Sequence, residues 1–215
     1  MTVHPSLSIA RRGFMLVLSS PSGAGKTTIA RKILALESEI SLSISLTTRP
    51  KRESEVEGKD YYFVDEATFD QMEKDEQLFE HAHVYGYQYG TPKAAIEKQL
   101  ADGIDVLFDI DWQGTQQLKQ IATSDLVSVF LLPPTLETLE KRLRTRGEDT
   151  ENTVRQRMSK ASEEISHWAE YDYVIINNSL EESIRAVRSI IQAERLKRRR
   201  QLGLAPFVNS LRGED

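Results

Sequence analysis

A lysine and a hydroxyl residue stand side by side at the end of a run of small residues, Ser-Pro-Ser-Gly-Ala-Gly-Lys-Thr (20–27). An apolar stretch (14–18) precedes it, and a helical pattern with Ile29, Ile33 and Leu36 follows. Strand, glycine-rich turn and helix, in that order, form the setting in which a loop binds phosphate. Gly23 and Gly25 let the backbone turn its N–H groups inward. Those groups and the helix N-terminus would make an electropositive nest for phosphate oxygens. Lys26 would reach the β- and γ-phosphates of a nucleoside triphosphate, and the Thr27 hydroxyl would ligate Mg2+. The pattern G-x-x-x-x-G-K-[ST] wants glycine where Ser20 stands. If the loop needs a left-handed backbone there, Ser20 carries strain of about 1 kcal/mol or more.

A second group of residues could hold another phosphate. Arg49 and Arg52 flank Pro50, and Tyr61 and Tyr89 fall on separate segments nearby. Two guanidiniums and two phenols can surround a phosphate monoester, although each arginine could equally stand as a solvated surface charge. Ser45, Glu80 and Thr91 add polar groups to the same unit. A carboxylate accepts two hydrogen bonds from the N1–H and 2-amino edge of guanine, and adenine offers no such pair. Glu80 therefore suits a guanine reader, or else a solvated strand position. Asp109 and Asp111 end an apolar run (104–110), at the edge where open α/β sheets bind ligands. Arg142 and Arg146 share a helix face at i, i+4, and Arg157 follows on the next helix. Phosphoryl transfer spreads charge over the moving group, so these arginines suit a lid that closes over phosphates. A basic helix end favoured by the macrodipole is the alternative.

The elements that must position these groups can be read from pattern. A strand is expected over 14–19 and a helix over 26–37. Residues 41–46 alternate polar and apolar, which predicts one strand with one buried face. Pro50 stops regular structure, and a charged loop (53–60) turns at Gly58. A short strand (61–64) leads to Asp65, an N-cap for a helix carrying Phe69 and Met72. Residues 78–84 and 87–89 predict a hairpin around Gly86. Thr91 and Pro92 read as N-cap and N1 of a helix that ends at Gly103. A core strand (104–110), a helix (113–121) and a central strand (126–132) follow. Thr135 caps a helix with Leu136, Leu139 and Leu143 on one stripe. An acidic segment (147–152) precedes a long helix bearing Val154, Met158, Ala161, Ile165 and Trp168. A last strand (173–176) and a last helix, from 180 to about 200, complete the pattern. Strands alternating with helices mean an α/β fold with a mostly parallel sheet.

Composition sets limits. The 215 residues suffice for one α/β domain, and 39% are hydrophobic, so a sizeable core is possible. No run approaches the roughly 20 apolar residues of a membrane span. Arg11 and Arg12 precede an apolar run too short for an export signal, so a cytoplasmic protein is expected. Cysteine is absent, which excludes disulfides and thiolate metal sites. The net charge of -5 argues against bulk nucleic-acid binding. His81 and His83 share a strand face but lack a third metal ligand, so they read as a solvated pair. Trp112 and Trp168 read as packing residues. The basic run 195–200 reads as a solvated helix end with Glu194 and Arg198 paired at i, i+4. Residues after Gly203 read as weakly ordered.

Several motifs together point further. The phosphate loop (20–27), Thr-Thr-Arg-Pro-Lys-Arg (47–52), Gly-Lys-Asp-Tyr-Tyr-Phe (58–63), Tyr-Gly-Thr (89–91), Asp-Ile-Asp-Trp-Gln-Gly (109–114) and Arg-Leu-Arg-Thr-Arg-Gly (142–147) resemble guanylate kinase. Order and spacing match along residues 12–195, and the bacterial enzymes are the most similar. The resemblance implies a phosphate-loop three-layer sandwich with a parallel core sheet (12–40, 92–142 and 157–195). It adds a small, mostly β, GMP-binding insertion (41–91), a lid (about 143–156) and tails at 1–11 and 196–215. It implies the reaction ATP + GMP → ADP + GDP with Mg2+. By matched position, Ser20, Pro21, Ser22, Gly23, Ala24, Gly25, Lys26, Thr27 and Thr28 would bind ATP, and Asn177 would lie near its base. Arg49, Arg52, Tyr61 and Tyr89 would hold the GMP phosphate, while Ser45, Glu80, Thr91 and Asp111 would surround the guanine. Lys26, Arg142, Arg146 and Arg157 would stabilise the transferring phosphoryl group. Thr27, with Asp109 or Asp111 through water, would hold Mg2+. Two other readings stand beside this one: a phosphate-loop kinase of another phosphorylated small molecule, and a non-catalytic guanylate-kinase-like binding module. Such modules tend to lose the loop lysine and the lid arginines, which this chain keeps.

Overall fold

The computed structural model describes residues 9–84, 86–145 and 151–213. In chain order its elements are β1 (Met15–Ser19), α1 (Lys26–Leu36), β2 (Ile40–Leu42), β3 (Leu46–Thr47), β4 (Tyr62–Phe63), α2 (Glu66–Lys74), β5 (Leu78–Val84), β6 (Tyr87–Pro92) and α3 (Lys93–Ala101). There follow β7 (Asp105–Phe108), α4 (Trp112–Ala122), β8 (Leu126–Leu132), α5 (Leu136–Thr145), α6 (Glu151–Ser166), β9 (Tyr173–Ile176), α7 (Leu180–Arg195) and α8 (Leu204–Arg212).

β1 explains the layering. Phe14, Leu16 and Leu18 point to one face of the sheet, where Ile29 and Ile33 of α1 and Val187 and Ile191 of α7 meet them. Met15 and Val17 point to the other, towards Ile96 and Leu100 of α3 and Leu118 of α4. A strand covered on both sides reads as a continuous apolar run. The core sheet has the order β2-β7-β1-β8-β9, and all its pairings are parallel. From β1 the chain crosses past β7 to β2, and β8 later takes the other side. The C-terminal end of β1 is thus the switch point of the sheet, where such folds open a ligand crevice. A second, four-stranded sheet, β4-β3-β6-β5, forms the insertion. Leu46, Phe69 and Leu78 pack beneath it.

Local signals held where they depended on neighbouring residues alone. Asp65 accepts from the Thr68 N–H at 2.7 Å, and Thr135 accepts from the Thr138 N–H at 3.0 Å, so both cap as expected. The β5–β6 hairpin turns at Gly86, with φ at 84°.

Elsewhere the expectations need correction. Residues 41–46 are not one strand: β2 joins the core sheet and β3 the second sheet. The alternation persists because each short piece buries its own apolar residue, Ile40 in one core and Leu46 in the other. Thr91 does not cap α3. It lies in β6, Pro92 takes the cap position, and the Thr91 hydroxyl is spent elsewhere. Leu136 is exposed, leaving Leu139 and Leu143 as the buried stripe of α5. Trp168 is half exposed rather than packed, whereas Trp112 stacks on His167 with ring centroids 3.7 Å apart. Of the segment expected as a lid (about 143–156), 143–145 end α5, 151–156 begin α6, and 146–150 lie outside the described residues.

Both tails depart most. Arg11 Nη1 donates to Asp105 at 2.7 Å, and Arg12 Nε to Asp125 at 2.9 Å, so residues 11 and 12 belong to the fold. The last long helix stops at Arg195 rather than near 200, and α8 follows where weak order was expected. Glu194 does not pair with Arg198. It is buried and pairs with Lys197 at 2.6 Å and with Arg200 at 3.4 Å. Arg200 turns inward, its guanidinium 4.8 Å from the centre of the Phe14 ring.

Asp105 ties these ends to the sheet. It is fully buried and also accepts from Arg195 Nε at 2.7 Å and from the Phe14 N–H at 3.2 Å. Removing it takes the one fully buried anion from both guanidiniums, which keep Glu39 and, for Arg195, Glu37. Asp105→Ala is expected to lower the unfolding free energy by about 3–5 kcal/mol in urea titration. A loss below about 1 kcal/mol would show that the Arg11–Asp105–Arg195 cluster does not hold the ends.

Candidate active site

The phosphate loop leaves β1 at Ser19 and enters α1 at Lys26. Gly23 and Gly25 are left-handed, with φ at 89° and 105°. Ser20 is not; Glu76 is the non-glycine with positive φ among the described residues. The loop therefore needs no glycine at position 20, and the Ser20 hydroxyl donates to the Pro21 carbonyl at 3.0 Å. From outside, the loop is clamped by α5 and α6. The Ala24 methyl is buried with Leu139 and Leu143 of α5 and with Val154 and Ala161 of α6. Ser20, Pro21, Ser22, Gly23, Gly25, Lys26, Thr27, Asp111 and Glu164 line one cavity of about 240 Å³. Thr28 opens instead into a neighbouring cavity of about 280 Å³, with Gly23, Gly25, Arg142, Asn177 and Leu180. A larger cavity of about 450 Å³ lies between α2, β5 and α4 and includes none of the expected site residues.

The acceptor side is built on the second sheet. The Arg49 N–H donates to Thr47 Oγ1 at 3.2 Å. The Arg49 guanidinium donates to the Pro50 carbonyl at 2.8 Å and to Glu55 at 2.6 Å. It lies 5.5 Å from the centre of the Tyr61 ring, and Tyr61 meets Tyr89 edge-on at 5.9 Å. Arg49, Tyr61 and Tyr89 are thus together. Arg52 joins them through its backbone N–H, 2.8 Å from the other oxygen of Glu55, while its side chain is exposed. Ser45 is half-buried where β3 begins, its carbonyl accepting from the Tyr62 N–H at 2.9 Å. Thr91 is fully buried and its hydroxyl donates to Glu80 at 2.6 Å. Burial pushes the Glu80 carboxyl above its ordinary value, and nearby Asp111 acts the same way, against the Thr91 hydrogen bond.

The turn between β7 and α4 joins the two sides. Lys26 Nζ pairs with Asp109 at 2.8 Å and donates to the Ile110 carbonyl at 3.2 Å. Asp111 caps α4, accepting from the Gly114 N–H at 3.0 Å. Gly114 lies so near Glu80 that a Cβ there would be 3.6 Å from Glu80 Oε2.

Of the expected arginines, Arg142 reaches the loop, its guanidinium donating to the carbonyls of Ala24 at 3.3 Å and Asn177 at 3.2 Å. Arg157 lies on α6 at i, i+4 and i+7 with Ala161 and Glu164, on the face turned to the loop. Arg146 lies outside the described residues. The sequence reading missed two carboxylates. Glu55 bridges the arginine motif. Glu164 accepts from the Ser22 N–H at 3.1 Å. The signals were weak: Glu55 stands three residues after Arg52, and Glu164 falls in the stripe of Ala161. Among the described residues no three His, Cys, Asp or Glu side chains are grouped to hold a metal, at His81 and His83 or elsewhere.

Comparison with known proteins agrees with this geometry. The family model described as "Guanylate kinase" matches residues 12–194. The chain belongs to the guanylate kinase family. The guanylate kinase of Zymomonas mobilis is 56% identical over 203 residues, covering 94% of each chain. That of Paramagnetospirillum magneticum is 55% identical over 206 residues, covering 96% of each. A crystal structure of guanylate kinase from Anaplasma phagocytophilum superposes with a TM-score of 0.73 at 38% identity, covering 97% of this chain and 99% of that one. The guanylate kinase fold thus includes both sheets and the helices that clamp the loop.

The raised Glu80 value has a testable sign. The folded chain holds that proton more tightly than the unfolded chain, so the stability it contributes is full at low pH and is lost as pH rises through the folded value. Glu80→Gln keeps an oxygen for Thr91 and removes the charge. In the absence of nucleotide it is expected to melt above the parent chain at about pH 8, with the gap closing towards the ordinary glutamate value of about 4.3. A gap independent of pH would show that ionisation of Glu80 is not what costs stability.

Proposed function

We infer that this chain transfers the γ-phosphoryl group of ATP to GMP, giving ADP and GDP. The observation that carries this reading is the shared turn, which touches Lys26 at one end and approaches Glu80 through Gly114 at the other. A donor phosphate held by the loop and an acceptor nucleotide read by Glu80 would then meet across one wall. Ser22 to Thr28 present main-chain amides and Lys26 to the triphosphate. Arg49, Arg52, Tyr61 and Tyr89 take the GMP phosphate, with Glu80, Thr91, Ser45 and Asp111 around the guanine. Arg142 and Arg157, with Arg146, offset the charge that spreads over the phosphoryl group in flight. The acceptor is a phosphate oxygen already ionised at neutral pH, so no general base is required.

Mg2+ fits this donor set. Thr27 and Asp111 offer oxygen at the mouth of one cavity, and a small hard cation is held by few protein oxygens together with phosphates and water. Thr27 would hold the ion, with Asp109 or Asp111 through water. When bound, it neutralises charge on the phosphate oxygens. No helix among the described residues is long and apolar enough to cross a membrane, and the reading places the enzyme in the cytoplasm, in purine nucleotide metabolism.

ADP release coupled to a panel of nucleoside monophosphates tests the assignment. Turnover is expected with GMP and hardly with AMP, CMP or UMP; turnover with none would remove the kinase reading. Lys26→Met is expected to lower kcat by about a hundredfold or more while the melting curve is kept. An unchanged kcat would show that the loop is not the donor site. Glu80→Gln, the variant expected to gain stability, should weaken GMP by about tenfold or more and ATP hardly at all. Equal weakening of both would contradict its role as base reader.

A further inference from the structure

The peptide joining Ala24 to Gly25 is gripped from outside the phosphate loop. The Ala24 carbonyl accepts from Asn177 Nδ2 at 2.7 Å and from Arg142 Nη1 at 3.3 Å, which uses both of its lone pairs. A trans peptide holds its C=O and N–H antiparallel, and no cis bond occurs among the described residues. With its carbonyl aimed at Asn177, this peptide must aim the Gly25 N–H the opposite way, to the side on which the loop would cradle phosphate. The approach is close: a Cβ on Gly25 would lie 2.6 Å from Asn177 Nδ2.

Asn177 is itself fixed. It is 4% exposed. Its backbone N–H donates to the Leu132 carbonyl at the end of β8, at 2.8 Å. Its carbonyl accepts from Arg142 Nη2 at 3.2 Å. Its side-chain oxygen accepts from the buried Ser183 hydroxyl at 2.9 Å. That bond uses one of the oxygen's two lone pairs and, because Ser183 is itself buried, ties the side-chain oxygen to the interior.

We propose that Asn177, oriented by Ser183, acts on ATP through the phosphate loop and not through the base: it locks the Ala24–Gly25 peptide so that the Gly25 N–H faces the phosphates. It is a positioning residue, and Arg142, held between the carbonyls of Ala24 and Asn177, is set in register with the loop by the same clamp. The inference rests on the ATP-site reading given above.

Inorganic tripolyphosphate, which carries the phosphates and no base, separates the two roles. Binding of ATP, tripolyphosphate and GMP is measured singly by calorimetry for the parent chain, Asn177→Ala and Ser183→Ala. Asn177→Ala is expected to weaken ATP and tripolyphosphate by the same factor, about tenfold, with GMP unchanged. Ser183→Ala, which cannot reach a nucleotide bound at the loop, is expected to weaken both equally by about threefold. Loss of ATP affinity with tripolyphosphate unchanged would assign Asn177 to the base and overturn the proposal. Unchanged affinity for both would do the same, and so would equal weakening of GMP, which marks general loosening. A parent chain that binds neither ATP nor tripolyphosphate would instead remove the donor-site reading on which the inference rests.

Discussion

A single short turn fixes how far apart the two halves of the site can be. Residues 109–114 leave the end of β7 and start α4, and they have contacts in both directions. Asp109 and the Ile110 carbonyl hold Lys26 on the loop side. Asp111 and Gly114 stand against the pocket of Glu80 on the other. Both neighbours are rigid. β7 is fully buried in the core sheet, and α4 docks on the edge strand β5 through Gln117, whose side-chain amide exchanges hydrogen bonds with the backbone of His81 at 2.9 and 3.1 Å. Phosphoryl transfer asks for donor and acceptor held in line, and at the proposed site that spacing would come from this turn between a buried strand and a docked helix.

Two cationic side chains and two backbone amides of the site are held by internal carboxylates. Asp109 pairs with Lys26, Glu55 bridges Arg49 and the Arg52 N–H, and Glu164 takes the Ser22 N–H. The Arg49 guanidinium in turn holds the Glu55 carboxyl below its ordinary range. A partly buried cation without a counter-charge is costly, so each pocket carries its own anion. A chain of net charge -5 thus sets these cations beside its own carboxylates. Glu164 sits on α6, so its bond to the Ser22 N–H ties that helix to the loop.

Much of this was legible in the sequence, and the reason is locality. The loop, the caps at Asp65 and Thr135 and the β5–β6 hairpin depend on residues within a few positions of one another. Glu80 and Thr91 were readable as candidates, but their mutual hydrogen bond required the antiparallel pairing of β5 and β6. What pattern could not supply were partners brought together from far along the chain. Asn177 reaches Ala24 because β9 ends beside β8 in the core sheet, and Glu164 reaches Ser22 because α6 folds back over the loop. The split of residues 41–46 between two sheets keeps the alternation of one strand. Arg200 reads as a solvated charge until Glu194 and Phe14 draw it inward.

The claim that one turn aligns two facing anion pockets is tested most directly by a ligand that spans them. Adenosine and guanosine joined 5′ to 5′ through five phosphates can occupy both pockets only if these face one another at phosphoryl-transfer distance. Calorimetric titration should show one molecule per chain, bound at least about a hundredfold more tightly than ATP. Binding no tighter than ATP, or two molecules per chain, would contradict the account.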